Sequence, residues 1–260
     1  MTRRKDDPHP NAQLERDLAE LKLLEIAQSY REVLDEAARK GSSPLEVLRT
    51  LIGMEATARK QRALERRIRQ AHLPKRRTLA EYDFSFPKRI PKAAILRLFD
   101  CDFIDRHGCA VLIGPTGTGK SHLLTALGYT ACEREYSVRH TRVVEMINHL
   151  TSAQINGTLG KTLKVYTRPA LLLLDELGYL PIDKRGADLL FQVVAARYET
   201  GSIVLTTNRA FREWGTIFDV DNTLATALID RLMHHGEAIV IQGKSFRMKD
   251  KDSPPDSPSE

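Results

Sequence analysis

The sequence predicts an α/β protein in which a parallel sheet flanked by helices fills residues 93–249, behind a small all-helical segment at residues 1–73. Three observations predict this. From Ala93 onward, short apolar strand-like runs alternate with helix-like ones, the pattern of a sheet covered by helices. A glycine-rich turn, Gly114 to Ser121, sits between one such apolar strand and an apolar helix. Ahead of Pro74, apolar residues recur instead at steps of three and four.

The elements follow in chain order. Residues 11–40 read as one helix, with Leu14, Leu18, Leu21, Leu24 and Ala27 on one side and Gly41 as its stop. Ser43-Pro44-Leu45-Glu46 is a capping box with proline at the first helical position, so a second helix starts there. It carries Leu45, Leu48, Ile52, Leu64 and Ile68 as its apolar side and runs to about His72, where Pro74 ends it. These helices are too thin to bury a large core alone, so a partner or a second copy is expected against them. Residues 74–92 form a basic, proline-rich linker whose Tyr82, Phe84 and Phe86 read as packing anchors more readily than as base-stacking rings. Strands are expected at Ala110–Ile113, Val138–Thr141, Ala170–Leu174, Ile203–Thr207 and Ala238–Ile241. Helices are expected near 120–133, 143–153, 185–200 and 223–234. The tail, 250–260, is rich in proline, serine and acids and reads as disordered.

Composition narrows the class. No apolar run approaches the roughly 20 residues a bilayer span needs, and the basic N-terminus has no apolar stretch behind it. Cys101, Cys109 and Cys132 show neither paired spacing nor nearby histidines at ligand spacing, so they read as reduced thiols and a cytoplasmic location is expected. The net charge is +6, but its distribution is uneven. Residues 57–92 hold 12 Lys/Arg against 3 Asp/Glu, which leaves 28 basic and 31 acidic residues elsewhere. Such a block suits a polyanion or an acidic protein partner; a solvated helix face is the plainer reading.

The sharpest motif is Gly114-Pro-Thr-Gly-Thr-Gly-Lys-Ser121, a phosphate-binding loop in its required strand–turn–helix setting. Glycines let the backbone wrap around phosphate oxygens, and amides at the positive end of a helix dipole face the anion. Gly114, Pro115, Thr116, Gly117, Thr118, Gly119, Lys120, Ser121 and the following His122 are therefore the candidate ATP-binding set. Lys120 is expected on the β- and γ-phosphates and the Ser121 hydroxyl on Mg²⁺. Leu171–Leu174 is an apolar strand that delivers Asp175 and Glu176 at its C-terminal end, where open parallel sheets bind ligands. Asp175 is placed to hold Mg²⁺ and Glu176 to activate a water molecule. A third strand ends in Thr206-Thr207-Asn208, which puts Asn208 between the γ-phosphate and that water; a plain turn is the competing reading.

Together these three elements resemble the Walker A, Walker B and sensor 1 elements of AAA+ P-loop ATPases. GPTGTGKSHLLTALG, LLLLDELGYLP, FQVVAARYETGSIVLTTN, FREWGTIF and ALIDRLMHHGEAIVIQGKSFR further resemble the IstB family of insertion-sequence helper ATPases, over roughly residues 75–248. Departures are mild: Thr116 stands where proline is common, Ser121 where threonine is common, and Phe246 where tyrosine is common. The resemblance implies an AAA+ core that forms homo-oligomers with ATP at subunit interfaces. By position it makes Arg231 an arginine finger and Arg247 a sensor 2 arginine. It also implies non-sequence-specific duplex DNA as a partner and a transposase of the same element as another. Candidate DNA contacts are Arg59, Lys60, Arg62, Arg66, Arg67 and Arg69 on the second N-terminal helix, and Lys161, Lys164 and Arg168 before the Asp-Glu strand.

The expected function is thus an ATP-dependent DNA-binding regulator of transposition. A DnaC-like helicase loader shares the same core and differs in its key partner, a protein ring. A small-molecule kinase would need an acceptor pocket and a basic lid, neither of which the sequence offers.

Overall fold

The structure, a computed structural model, describes residues 10–86, 89–219, 221–243 and 245–246. Arg247 and the 250–260 tail lie outside the described residues. The chain divides into two compact units, one ending at Arg66 and the other beginning at Arg67.

The first unit is helical: α1 (Pro10–Glu20), α2 (Leu24–Lys40) and the larger part of α3 (Pro44–Ala71). The single helix expected over residues 11–40 is broken. Lys22 adopts a left-handed φ of 57°, and the Leu23 amide bonds back to the Leu18 carbonyl at 2.9 Å. Helix α2 starts without a local side-chain cap; the buried Glu55 carboxylate of α3 accepts from the Glu25 and Ile26 amides instead, at 2.7 and 3.3 Å. A carboxylate at a helix N-terminus satisfies orphan amides and the dipole together. That partner lies 30 residues away, out of reach of any local reading. The Ser43–Glu46 capping box forms as expected, with the Ser43 amide on Glu46 at 2.7 Å and the Glu46 amide on Ser43 Oγ at 3.3 Å.

The second unit contains α4 (Lys92–Phe99), α5 (Asp102–Asp105), β1 (Cys109–Ile113), α6 (Lys120–Glu133), β2 (Val138–Arg142), α7 (Val143–Ile155), α8 (Leu159–Thr167), β3 (Leu171–Leu177), α9 (Lys184–Arg197), β4 (Ser202–Thr207), α10 (Trp214–Ile217), α11 (Asn222–Met233) and β5 (Gly236–Val240). The five strands form one sheet in the order β2-β3-β4-β1-β5, every neighbouring pair parallel. Each expected strand is present. The fifth begins two residues earlier than its apolar run, because Gly236 and Glu237 pair with Cys109 and Ala110 despite their polar character.

Helices cover both faces. Val111, Leu172, Leu174, Ile203 and Leu205 pack with α7, α9, α10 and α11 into one core. Helix α6 lies on the opposite face, against β2, β3 and β4. Leu171 to Leu174 are all fully buried, so β3 is shielded on both sides, as a four-leucine run requires. Because all strands run one way, the loops after β1, β3 and β4 emerge together at one end of the sheet.

Candidate active site

The turn from β1 into α6 takes its shape from glycines. Gly117 and Gly119 hold φ of 82° and 86°, values other residues adopt only at a cost of about 1 kcal/mol or more. Gly119 is also the N-cap of α6, and a Cβ there would lie 2.5 Å from the Tyr82 ring. The first amides of α6 have no carbonyl one turn earlier to bond, so they face the concave side of the loop. Lys120 folds over this loop, its Nζ donating to the Gly114 and Pro115 carbonyls at 2.7 and 2.8 Å. Burial lowers its pKa from 10.5 to about 8, and nearby Asp175 opposes the shift.

β4 lies between β1 and β3, so its end emerges between the phosphate loop and the Asp-Glu pair. Asp175 is buried, and one of its carboxylate oxygens accepts from Ser121 Oγ at 3.0 Å and from the Thr206 hydroxyl. Two oxygens 3.0 Å apart match adjacent corners of an octahedral shell of radius about 2.1 Å, so Ser121 and Asp175 fit a Mg²⁺ ion. Thr206 Oγ1 also accepts from the Glu176 amide at 2.9 Å, so this hydroxyl ties β4 to both acidic residues.

Glu176 leaves the strand alternation. Its φ is 66°, and the β3–β4 register shifts between Leu174 and Leu177. The bulge re-aims a side chain that would otherwise point into the apolar core, a common use of bulges beside active sites. The Glu176 carboxylate meets Arg142 Nε at 3.3 Å, from the end of β2. Asn208 follows β4, and its Oδ1 is buried with no hydrogen-bond partner among the described residues. A buried acceptor left unpaired is costly unless a further group completes it.

Several contacts were not legible in the sequence. The Tyr82 hydroxyl donates to the Thr118 carbonyl at 2.8 Å, while its ring packs edge-on against Phe84 and His122 at 5.0 and 5.7 Å. Phe86 stacks edge-on with Phe246 at 4.8 Å. The linker aromatics therefore pack, as expected, and they pack on the phosphate loop and the segment that reaches it. The His122 ring binds the Thr78 carbonyl at 2.9 Å, so what His122 can offer an anion is its backbone amide. Thr116 Oγ1 lies 3.2 Å from the exposed Tyr179 hydroxyl, which joins the loop after β3 to the phosphate loop. Tyrosine at 82 and 179 was visible in the sequence, but which surface each hydroxyl meets was not.

The remaining candidates stand apart. Arg231 sits in the last turn of α11, its guanidinium 4.6 Å over the Phe191 ring and bonded to the Ala227 carbonyl at 3.2 Å. Helix α11 leads into the N-terminal end of β5, whereas the phosphate loop leaves the C-terminal end of β1, about 13 Å along the strand. Among the expected DNA contacts, Arg59, Lys60, Arg66, Arg69, Lys161, Lys164 and Arg168 are exposed. Lys161, Lys164 and Arg168 share a face of α8 or its end and have no acidic partner among the described residues. Arg62 pairs with Glu55 at 2.6 Å, and Arg67 donates to the Cys132 carbonyl at 3.0 Å, so both are engaged within the chain. No described helix is long and apolar enough to cross a membrane.

The chain is similar to known proteins along most of its length. The chain is 36% identical over 239 residues to an ATP-binding protein of insertion sequence IS21 from Pseudomonas aeruginosa, covering 92% of this chain and 90% of that one. It is 37% identical over 238 residues to that of IS232 from Bacillus thuringiensis subsp. berliner, covering 92% and 95%. Among solved structures, DnaI superposes with a TM-score of 0.55 at 20% identity, over 67% of this chain and 94% of that one. The DnaC helicase loader gives 0.52 at 21%, over 63% and 97%. DnaA bound to AMPPCP and single-stranded DNA gives 0.57 at 22%, over 69% and 55%. These structures share the AAA+ P-loop fold. The description "IstB-like ATP binding protein" fits residues 16–254, and with two such relatives above 30% identity the chain belongs to the IstB-like ATP-binding protein family.

Proposed function

We propose that this chain binds Mg²⁺-ATP at the β1–α6 loop, hydrolyses it, and uses the cycle to assemble on duplex DNA and recruit or stimulate a transposase of its insertion sequence. One observation carries the reading: Lys120, Ser121, Asp175, Glu176, Thr206 and Asn208 converge from three adjacent strand ends. Lys120 exchanges the two loop carbonyls for β- and γ-phosphate oxygens. Ser121 and Asp175 hold Mg²⁺, which supplies charge neutralisation at the phosphates. Glu176 takes the proton of the attacking water, and the unpaired Asn208 Oδ1 orients that water.

Arg231 lies too far along the sheet to serve its own phosphate loop and acts on a second copy, where such an arginine is worth about 10³–10⁵ in rate. The resemblance gives Arg247 a place beside the γ-phosphate. Arg59, Lys60, Arg66 and Arg69, with Lys161, Lys164 and Arg168, supply exposed cations for phosphate backbones. Similarity to the ATP-binding proteins of IS21 and IS232 supports the insertion-sequence setting.

The test is particle size by light scattering, alone, with ATP, with duplex DNA and with both. A multimer that requires ATP and enlarges on DNA is expected; a monomer in all four conditions would refute the interface mechanism.

A further inference from the structure

The end of the sheet opposite the phosphate loop carries three side chains that ATP hydrolysis does not use. Glu199 sits in the turn between α9 and β4 at a left-handed φ of 58°, flanked by the Thr200 and Gly201 amides, each 3.0 Å from the Arg197 carbonyl. His234 closes α11, its amide 2.9 Å from the Asp230 carbonyl. His235 leads into β5, and its carbonyl accepts from the Cys109 amide at 3.2 Å. Backbone bonds thus fix both turns before any side chain meets another.

The two turns bring one carboxylate oxygen and two imidazole nitrogens within 4.8 Å of one another. His235 Nε2 is 3.6 Å from Glu199 Oε1, too long for a hydrogen bond, and the two rings meet edge to face at 4.3 Å. We propose that Glu199, His234 and His235 form a binding site for a divalent transition-metal ion of the zinc class, with water in the fourth position.

The donor set decides the class. Two imidazoles and one carboxylate suit zinc, whereas Mg²⁺ and Ca²⁺ favour shells of oxygen ligands. The geometry fits as well: ligand atoms about 2.0–2.1 Å from a tetrahedral ion lie about 3.4 Å apart. The His235–Glu199 pair is already close to that separation, and rotation of exposed side chains closes the rest. Two charges oppose a cation in the pocket that Glu199 and His235 line: Arg197, whose guanidinium donates to five backbone carbonyls, and Arg231. The Arg231 guanidinium is occupied by the Phe191 ring and the Ala227 carbonyl. An ion here would tie the C-terminal end of α11 to the α9–β4 turn. If Arg231 acts on a second copy, as proposed above, the ion also fixes the helix that presents it; the metal site itself does not depend on that role.

The experiment uses the full chain, stripped with chelator, titrated with Zn²⁺ by calorimetry and with Co²⁺ by visible absorption. One ion per chain and the intense d–d absorption of four-coordinate Co²⁺ are expected. E199Q and H234A should each weaken Zn²⁺ binding by at least about tenfold, while circular dichroism and ATP affinity stay unchanged. Retained ATP affinity separates failure of this site from failure of the nucleotide site. Should H235A fold poorly because residue 235 leads directly into β5, E199Q in the exposed turn decides the matter. Equal Zn²⁺ affinity in wild type and E199Q, a weak octahedral Co²⁺ spectrum, or no binding by folded protein would each overturn the proposal.

Discussion

Lys120 should make nucleotide binding a proton-coupled event. Its ammonium is buried against two carbonyls, and burial holds its pKa at about 8. A group of that pKa is about half deprotonated at pH 8, about a tenth at pH 7 and about nine-tenths at pH 9. Phosphate oxygens brought against Nζ favour the charged form, so ATP binding should draw in about 0.5 proton per chain at pH 8 and about 0.1 at pH 7. Calorimetry in buffers of differing ionisation enthalpy measures this uptake directly. K120R is the control, because a guanidinium stays charged throughout and should abolish the uptake. The sign can be checked without nucleotide. The folded pKa lies below the unfolded one, so the folded chain binds fewer protons between pH about 8 and about 10.5, and stability should rise with pH across that window. Absent uptake at pH 8, or equal uptake in K120R, would refute the reasoning.

Three further outcomes are expected. Arg197 is fully buried and donates to the carbonyls of Tyr166, Thr167, Pro169, Ala170 and Ser202 at 2.8–3.2 Å. R197M strands those groups and should cost at least about 3 kcal/mol, read from the urea midpoint; a loss below about 1 kcal/mol would contradict the staple role. Y82F removes one hydrogen bond to the phosphate loop and should weaken ATP binding roughly fivefold in a fluorescence titration, with Y82A weaker still. An unaffected Y82A would show that the linker does not brace the loop. T206V leaves an Asp175 oxygen and the Glu176 amide without their shared partner, so turnover should fall at least about tenfold while ATP binding persists; unchanged turnover would remove Thr206 from the site.

How far the sequence carried depends on the range of the interaction. The motif residues were legible because phosphate binding needs glycine at 117 and 119 and a lysine at the helix start, a demand written in adjacent positions. Leu171–Leu174 announced a strand buried on both faces. The α1–α2 break was hidden because Glu55 supplies the α2 cap from another helix. Short helices α4, α5, α8 and α10 passed unnoticed, since segments of 4 to 9 residues carry too little periodicity. Strand order was equally invisible, and it sets the end of β4, which Asn208 follows, between the strands that lead to Lys120 and Asp175. The Arg142–Glu176 pair depends on β2 lying beside β3, which no local pattern states.

The central claim is that Glu176, turned out of β3 by its left-handed backbone, removes a proton from water at an ATP γ-phosphate. Single-turnover phosphate release from Mg²⁺-ATP, with duplex DNA present, tests it most directly in wild type and E176Q. A loss of about 10²–10⁴ in rate with ATP affinity intact is expected. Equal rates for the two proteins would contradict it.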